Sequence, residues 1–392
     1  MEKKKNTPKL RFPEFTGEWE EKKLGEIFRI SAGGDIDSKH VSKERTEKFN
    51  YPIYANTERD KGLYGYSDVY KIESGVVTVT GRGVNIGIAH ARNHKFYPIV
   101  RLLVLEPLKE ENIYFYEYQI NRLNLYKEST GVPQLTAPQI SIYCVCFPQL
   151  IEQTKIATFL TAVDEKLTQL KKKKTLLEQY KKGVMQKLFS QELRFKDDNN
   201  QDFPDWQEKK LGEMISLVVD NRGKTPSTID EGIPLLEINS IGGKEINYNV
   251  VTKYVSEITY VSWFRKYLES GDVLFSTVGN TALCSYYTGE IKACVAQNIV
   301  GLRFKNEVSL FMYYLMIEEK NKIKFKQIEM GAVQPSIKVS QMIDLYFEVP
   351  NLSEQQKIAT FLSAIDEKIS HCGAQIEKME AWKKGLLQQM FC

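Results

Sequence analysis

Residues 152–166 read EQTKIATFLTAVDEK, and residues 354–368 read EQQKIATFLSAIDEK; the two superpose without a gap. A long internal match states how a chain is assembled, so it is read first. Downstream of it, Lys181-Lys182-Gly183 recurs as Lys383-Lys384-Gly385, and Phe189 as Phe391. Upstream, LRF at Leu10 to Phe12 recurs at Leu193 to Phe195. Trp19 followed by EKKLGE (Glu21 to Glu26) recurs as Trp206 followed by EKKLGE (Glu208 to Glu213). The Trp motifs stand 187 residues apart and the helix motifs 202, so the second interior is 15 residues longer. The order is globule, helix, globule, helix, with common frames around divergent interiors.

The repeated segment has the period of a coiled-coil seam. Ile156, Leu160, Val163, Leu167, Leu170, Leu177, Val184 and Leu188 follow steps of four and three, with Lys174 and Lys181 at two seam positions. Ile358, Leu362, Ile365, Ile369, Cys372, Ile376, Met379, Leu386 and Met390 keep the same register in the second copy. A sustained period near 3.5 predicts helices that pair along this stripe. Each would span about 57 Å over about 38 residues. Pro148 and Pro350 stand just before them, where proline is tolerated. The expectation is an α+β chain of two pseudo-symmetric globules, joined and separated by two long helices paired antiparallel. The boundaries are 1–150, 151–190, 191–350 and 351–392. The alternative, each helix packing on its own globule, accounts less well for so long a matched seam. Lys171 to Lys174 reads as a solvated helix face, with a phosphate-facing stripe as the second reading.

Composition bounds the function only loosely. The chain has 392 residues, 42% of them apolar, and a net charge of +4. That charge permits a polyanion partner without requiring one. The start, Met1 to Lys5, is polar, and no stretch approaches the ~18 apolar residues of a membrane span. A soluble cytoplasmic protein is expected. Cys144, Cys146, Cys284, Cys294, Cys372 and Cys392 form no CxxC pair. His90 and His94 lie four apart in a strand-like pattern, so they need not share a face. No metal site is expected.

The globules read as short strands broken by Gly, Asn and Asp. Val76 to Thr80 and Asp272 to Val278 are the clearest, each after Glu-Ser-Gly and each running into a glycine turn. Gly81, Gly83 and Gly87 have the wrong spacing for a dinucleotide loop, and no amphipathic helix follows. Arg82 and Asn85 in this turn suit a phosphate or a guanine edge; a plain hairpin turn with a solvated arginine is the equal alternative. Gly223-Lys224-Thr225 resembles the end of a phosphate-binding loop, but Val218 stands where the first glycine belongs and Pro226 follows. A polar, basic DNA-facing loop of Asn221, Arg222, Lys224 and Thr225 is the better reading. Asn280 occupies the second glycine turn. Gln134 with Thr136, and Gln334 with Ser336, precede the last strand of each globule. They could contact adenine or phosphate, or serve as turn and cap residues. Tyr64 is a candidate DNA-facing ring, against the commoner half-buried tyrosine, as is Tyr66. Trp19 and Trp206 are expected as core anchors.

Catalytic patterns are missing. There is no HExxH, no GxSxG and no Asn-Pro-Pro-aromatic tetrapeptide. Asp205 with Glu208 and Lys209 is too compressed for a nuclease carboxylate set and reads as a surface turn. Any catalysis is therefore expected from partners.

The duplicated order LRF…W…KKLGE, then TGVPQLT (130–136) or GAVQPSI (331–337), then P-x-L-x-EQ-x-KIATFL-x-A-x-DEK and KKG…F, resembles the specificity subunit of Type I restriction-modification systems. That resemblance covers nearly the whole chain. It implies two target-recognition domains, each reading half of a bipartite, gapped site on double-stranded DNA, with the helices setting the gap. It implies two methyltransferase (modification) subunits that bind S-adenosylmethionine and methylate adenine. It also implies two restriction subunits that use ATP and Mg²⁺, and no cofactor in this chain. It carries over no base-contacting residues. A structural adaptor that recruits proteins through its helices, without DNA, is the alternative.

Overall fold

A computed structural model describes residues 6–57, 59–83, 86–123, 125, 134–221, 223, 225–331 and 333–392. It divides into two compact units: Met1–Lys172 with Gly373–Cys392, and Lys173–Cys372. Each unit is one globule plus the first part of one long helix and the last part of the other. The long helices are Leu150–Phe189 and Leu352–Gln389, 40 and 38 residues.

The first unit holds a four-stranded antiparallel sheet in the order Phe28–Ala32, Leu103–Pro107, Val76–Val79, Ala89–Arg92. The second unit repeats it with Ile215–Val219, Ile299–Phe304, Val273–Ser276 and Cys284–Tyr286. Both units add a smaller sheet with one parallel pair, Tyr51–Tyr54 beside Tyr97–Pro98 and Ile233–Leu236 beside Cys294–Val295.

The recurrent EKKLGE has a structural cause. Its first residues form a strand, Glu20–Lys23 or Gln207–Lys210, antiparallel to the strand that leads into the long helix, Cys144–Phe147 or Tyr346–Val349. Its Leu24 or Leu211 is fully buried. Its glycine permits close approach: a Cβ on Gly25 would fall 2.9 Å from Ser141 Cβ, and one on Gly212 3.1 Å from the Ile343 carbonyl.

Each core is sealed by an aromatic helix, Ile113–Asn121 or Ser309–Ile317, and by the end of a long helix. Trp19 is buried between Phe115 (5.8 Å) and Phe391 (6.3 Å). Trp206 is only half buried, between Phe189 and Phe311, both at 6.2 Å. The Phe189–Phe391 recurrence is thus a matched core plug.

Within each unit the long helices run antiparallel. In the first, Phe159 meets Trp382 and Lys171 meets Glu380 at 2.6 Å. Asp164 pairs with Lys383 there at 2.5 Å. In the second, Asp366 pairs with Lys181 at 2.5 Å. The DEK of each helix therefore finds the KKG of the other. The seam positions divide by depth. Ile156, Leu160, Val163, Leu167, Leu170, Ile358, Leu362 and Ile365 are buried, whereas Leu177, Ile369 and Met379 are half buried. Ile156, Leu160, Ile358 and Leu362 also belong to the cores of the globules they follow. Packing on the globule and pairing between helices, posed as alternatives by the sequence, occur together along one stripe.

Candidate nucleic-acid interface

In the first unit, three backbone segments converge beyond the end of strand Val76–Val79. Gly81 N–H donates to Asn56 Oδ1 at 2.7 Å, and the Gly81 carbonyl accepts from Leu135 N at 2.8 Å. Arg82 and Gln134 form an antiparallel bridge. The turn Val100–Arg101 closes the third side: Val100 N donates to Gly34 O at 3.1 Å and Arg101 N to Gly33 O at 3.0 Å. A Cβ on Gly81 would fall 2.9 Å from the Leu135 carbonyl and 3.1 Å from that of Arg101, so only glycine fits.

Val100 and Arg101 both sit in the left-handed region, at φ 52° and 57°. A β-branched residue there is strained, and strain of this kind costs about 1–3 kcal/mol per residue. The Asn56 amide donates to the Val100 carbonyl and so ties the strained turn to the glycine turn. Val100 is 47% exposed, and the Arg82 and Arg101 side chains face solvent.

In the second unit the same region is a cleft of about 690 Å³. It brings together four of the predicted residues, Asn221, Thr225, Asn280 and Gln334, and adds Gln297 and Asn298. Gly279 N donates to Pro335 O at 2.8 Å, and Val278 bridges Ser336. Lys253 also lines the cleft and is held by Glu237 at 2.7 Å. Asn221 is 2% exposed; its Oδ1 accepts from Gly223 N at 3.1 Å. Its Nδ2 and the Asn298 Oδ1 are buried with no partner among the described residues. An unmatched buried donor or acceptor costs about 1–3 kcal/mol.

The two loop sets are equivalent by hydrogen bonding. Ile99 N donates to Tyr54 O, and Ala296 N to Leu236 O, each at 2.9 Å. Those donors and acceptors occupy corresponding places in the paired parallel strands. The turn 100–101 thus corresponds to 297–298. Likewise Leu135 N donates to Gly81 O, and Ile337 N to Thr277 O, each at 2.8 Å. Gln134 therefore corresponds to Ser336, not to Gln334.

Other predicted residues fall elsewhere. Thr136 is the N-cap of helix Ala137–Ser141, in a capping box with Gln139 at 2.8 Å, so its cap reading applies. Tyr64 is exposed in the smaller sheet, with the Lys43 ammonium 4.9 Å from its ring centre. Nothing among the described residues ties it to the converging loops. Asn85, Arg222 and Lys224 lie outside the described residues, as does 130–133 of the TGVPQLT segment. His90 meets Glu117 at 3.4 Å and His94 meets Tyr54 at 3.0 Å, so the two histidines serve different partners. Sequence reasoning missed Asn56, Val100, Arg101, Gln297 and Asn298. The only signal for the last four is their matched place before a sheet strand in each half; nothing in Val-Arg announces a left-handed turn.

Beneath each interface the frame is tied to the long helices by duplicated buried polar contacts. The Arg11 guanidinium grips Glu152 at 2.7 Å through two nitrogens, and Arg194 grips Glu354 at 3.1 and 2.8 Å. Hydrogen bonding to the carboxylate holds each arginine above its usual pKa. Gln153 and Gln355 each donate to a proline carbonyl, of Pro148 and Pro350, at 2.9 Å. They accept from Asn112 N and Val308 N at 3.0 and 2.9 Å. Tyr118 donates to Asp164 at 2.7 Å and Tyr314 to Asp366 at 2.6 Å. Burial, then the carboxylate, pushes both phenols up.

A family model described as the Type I restriction modification DNA specificity domain matches residues 16–179 and again 204–381. The type I restriction enzyme MjaVIII specificity subunit of Methanocaldococcus jannaschii is 24% identical over 303 residues, covering 74% of this chain and 71% of that protein. In structure, the chain is similar to the Type-I restriction-modification system S subunit from M. genitalium. The TM-score is 0.67 at 17% identity, over 98% of this chain and 99% of that one. A chain from a study of complex assembly and conformational transition of the type I R-M system gives 0.54 at 16% identity, over 95% and 96%. Among the described residues, no helix is long and apolar enough to cross a membrane.

Proposed function

The chain belongs to the family of Type I restriction-modification DNA specificity proteins, in two domain copies, and from that premise we propose how it acts. Each unit reads one half of a gapped site on double-stranded DNA, and the long helices fix the gap between the halves. The observation that carries this reading is the loop cluster built at the same topological place in both units with different side chains. One frame holding two sets of polar residues is what two readers of different sequences require. Two readers on one spacer also gain affinity through effective concentration.

Catalysis comes from partners: two modification subunits with S-adenosylmethionine methylate adenine, and two restriction subunits with ATP and Mg²⁺ cut. On this reading the cofactors and the catalytic residues belong to those partners. The test is binding by the complex with its modification subunit. A gapped duplex competes against scrambled DNA, and affinity falls steeply with salt as phosphate contacts are screened. A complex that forms without any salt-dependent affinity for DNA supports the protein-recruiting adaptor instead.

A further inference from the structure

We propose that the two units read different bases: the first specifies guanine through Arg82 and Arg101, and the second specifies adenine through the amides of Gln297, Asn298, Asn280 and Gln334. The inference rests on the DNA-reading role above and adds to it the base that each interface selects.

The chemistry follows from the heads each loop set presents. In the major groove guanine offers two acceptors, N7 and O6, which a guanidinium meets with two parallel donors. Adenine offers an acceptor and a donor, N7 and the N6 amino group, which one carboxamide meets with its NH₂ and its carbonyl. The first unit places Arg82 on the glycine turn and Arg101 on the neighbouring strained turn. Their backbones touch across Gly81, where no Cβ fits. Asn56 bonds both turns. The arginines are thus carried by a locked frame, which bidentate recognition needs because a mobile guanidinium pays its ordering entropy on contact.

The second unit has an amide, Asn298, at the place of Arg101, while Val278 takes the place of Arg82 at the bridge to the facing loop. Gln297 and Asn298 stand where Val100 and Arg101 stand, with Asn280 and Gln334 on the facing loops of the cleft. Among its described residues the cleft has one cation, Lys253, and Glu237 pairs it at 2.7 Å. Two amide atoms, the Asn221 Nδ2 donor and the Asn298 Oδ1 acceptor, have no partner among the described residues. The wall of the cleft thus carries one unspent donor and one unspent acceptor, and the exposed amides of Asn280, Gln297 and Gln334 each carry the donor and acceptor that an adenine edge takes. Asn221, whose carbonyl holds Gly223, positions the loop.

The experiment maps methyladenine motifs for cells that make the full chain with its modification subunit, as wild type and as single variants. Arg82→Ala or Arg101→Ala should relax one G·C position in one half-site, with discrimination falling roughly five- to 150-fold, the range of one bidentate base contact. The other half-site should be unchanged. Gln297→Ala or Asn298→Ala should relax an A·T position in the opposite half-site only. Arg101→Lys should retain part of the guanine preference, since lysine also donates to O6 and N7. Melting curves on each purified complex separate misfolding from lost reading; Arg82 and Gln297 are exposed, so at least these two variants are expected to fold. Arginine variants that weaken binding evenly across sequences and lower its salt dependence, with the motif intact, would make the arginines phosphate contacts and overturn the base assignment. A wild-type complex that marks no gapped motif would instead overturn the DNA-reading premise.

Discussion

Asp366 accepts the Tyr314 hydroxyl at 2.6 Å and meets the Lys181 ammonium at 2.5 Å, and Asp164 does the same for Tyr118 and Lys383. In the sequence the DEK and KKG repeats are visible only as matched letters. What they do is invisible there, because the lysine that meets each aspartate lies more than a hundred residues away in the other long helix. Removing the carboxylate leaves a buried phenol and a mostly buried ammonium without their acceptor. Asp366→Ala should cost about 1–3 kcal/mol in denaturant unfolding. The double variant Asp366→Leu with Lys181→Met should recover part of that loss, because well-packed apolar groups replace such pairs at little cost. A double variant as unstable as the sum of its singles would contradict the pairing. The cysteines give a second test at this scale. Burial pushes the Cys284 and Cys294 thiols up to about 12, so at pH 8 they stay protonated, and the thiolate is the nucleophile. Iodoacetamide at pH 8 should label exposed Cys144 and spare Cys284 and Cys294 while the chain is folded; equal labelling of all three would contradict their burial.

At the scale of elements, the helices were the most legible part of the chain. The four-three spacing located them to within a few residues, since a period sustained over ten turns has few other causes. The period did not convey that one stripe serves two contacts. Leu160 and Leu362 have no exposed surface because each lies in a globule's core as well as on the helical seam. Leu160→Ala and Leu362→Ala should each destabilise by about 2–5 kcal/mol, the range for a leucine truncated in a packed core. Asp at Leu167 together with Asp at Ile369 acts differently, since neither position lies as deep in a globule. That variant should lose assembly with its modification subunit while far-UV circular dichroism keeps its strand signal. Unaltered assembly would count against a role for the paired helices. The loops were less legible. Gly81 was found because glycine marks its own constraint. The left-handed Val100–Arg101 turn was not, because Asn56 and the carbonyls of Gly33 and Gly34 impose it from a distance.

At the scale of the whole molecule, duplication is the property from which the rest follows. The amide of Leu10 donates to the Gln389 carbonyl at 2.9 Å, and that of Leu193 to the Lys187 carbonyl at 3.0 Å, so even the joints between helix and globule repeat. Frames this alike should let interiors be exchanged. Replacing residues 206–350 by the matching segment of a relative should change one half-site and leave the other; a change in both would contradict two independent readers. The most direct test of the central claim, that the two units together read one gapped DNA sequence, is genome-wide mapping of methyladenine in cells expressing the modification subunit with and without this chain. The account predicts one bipartite motif that appears only when the chain is present. A stable complex that adds no methylation anywhere would contradict it.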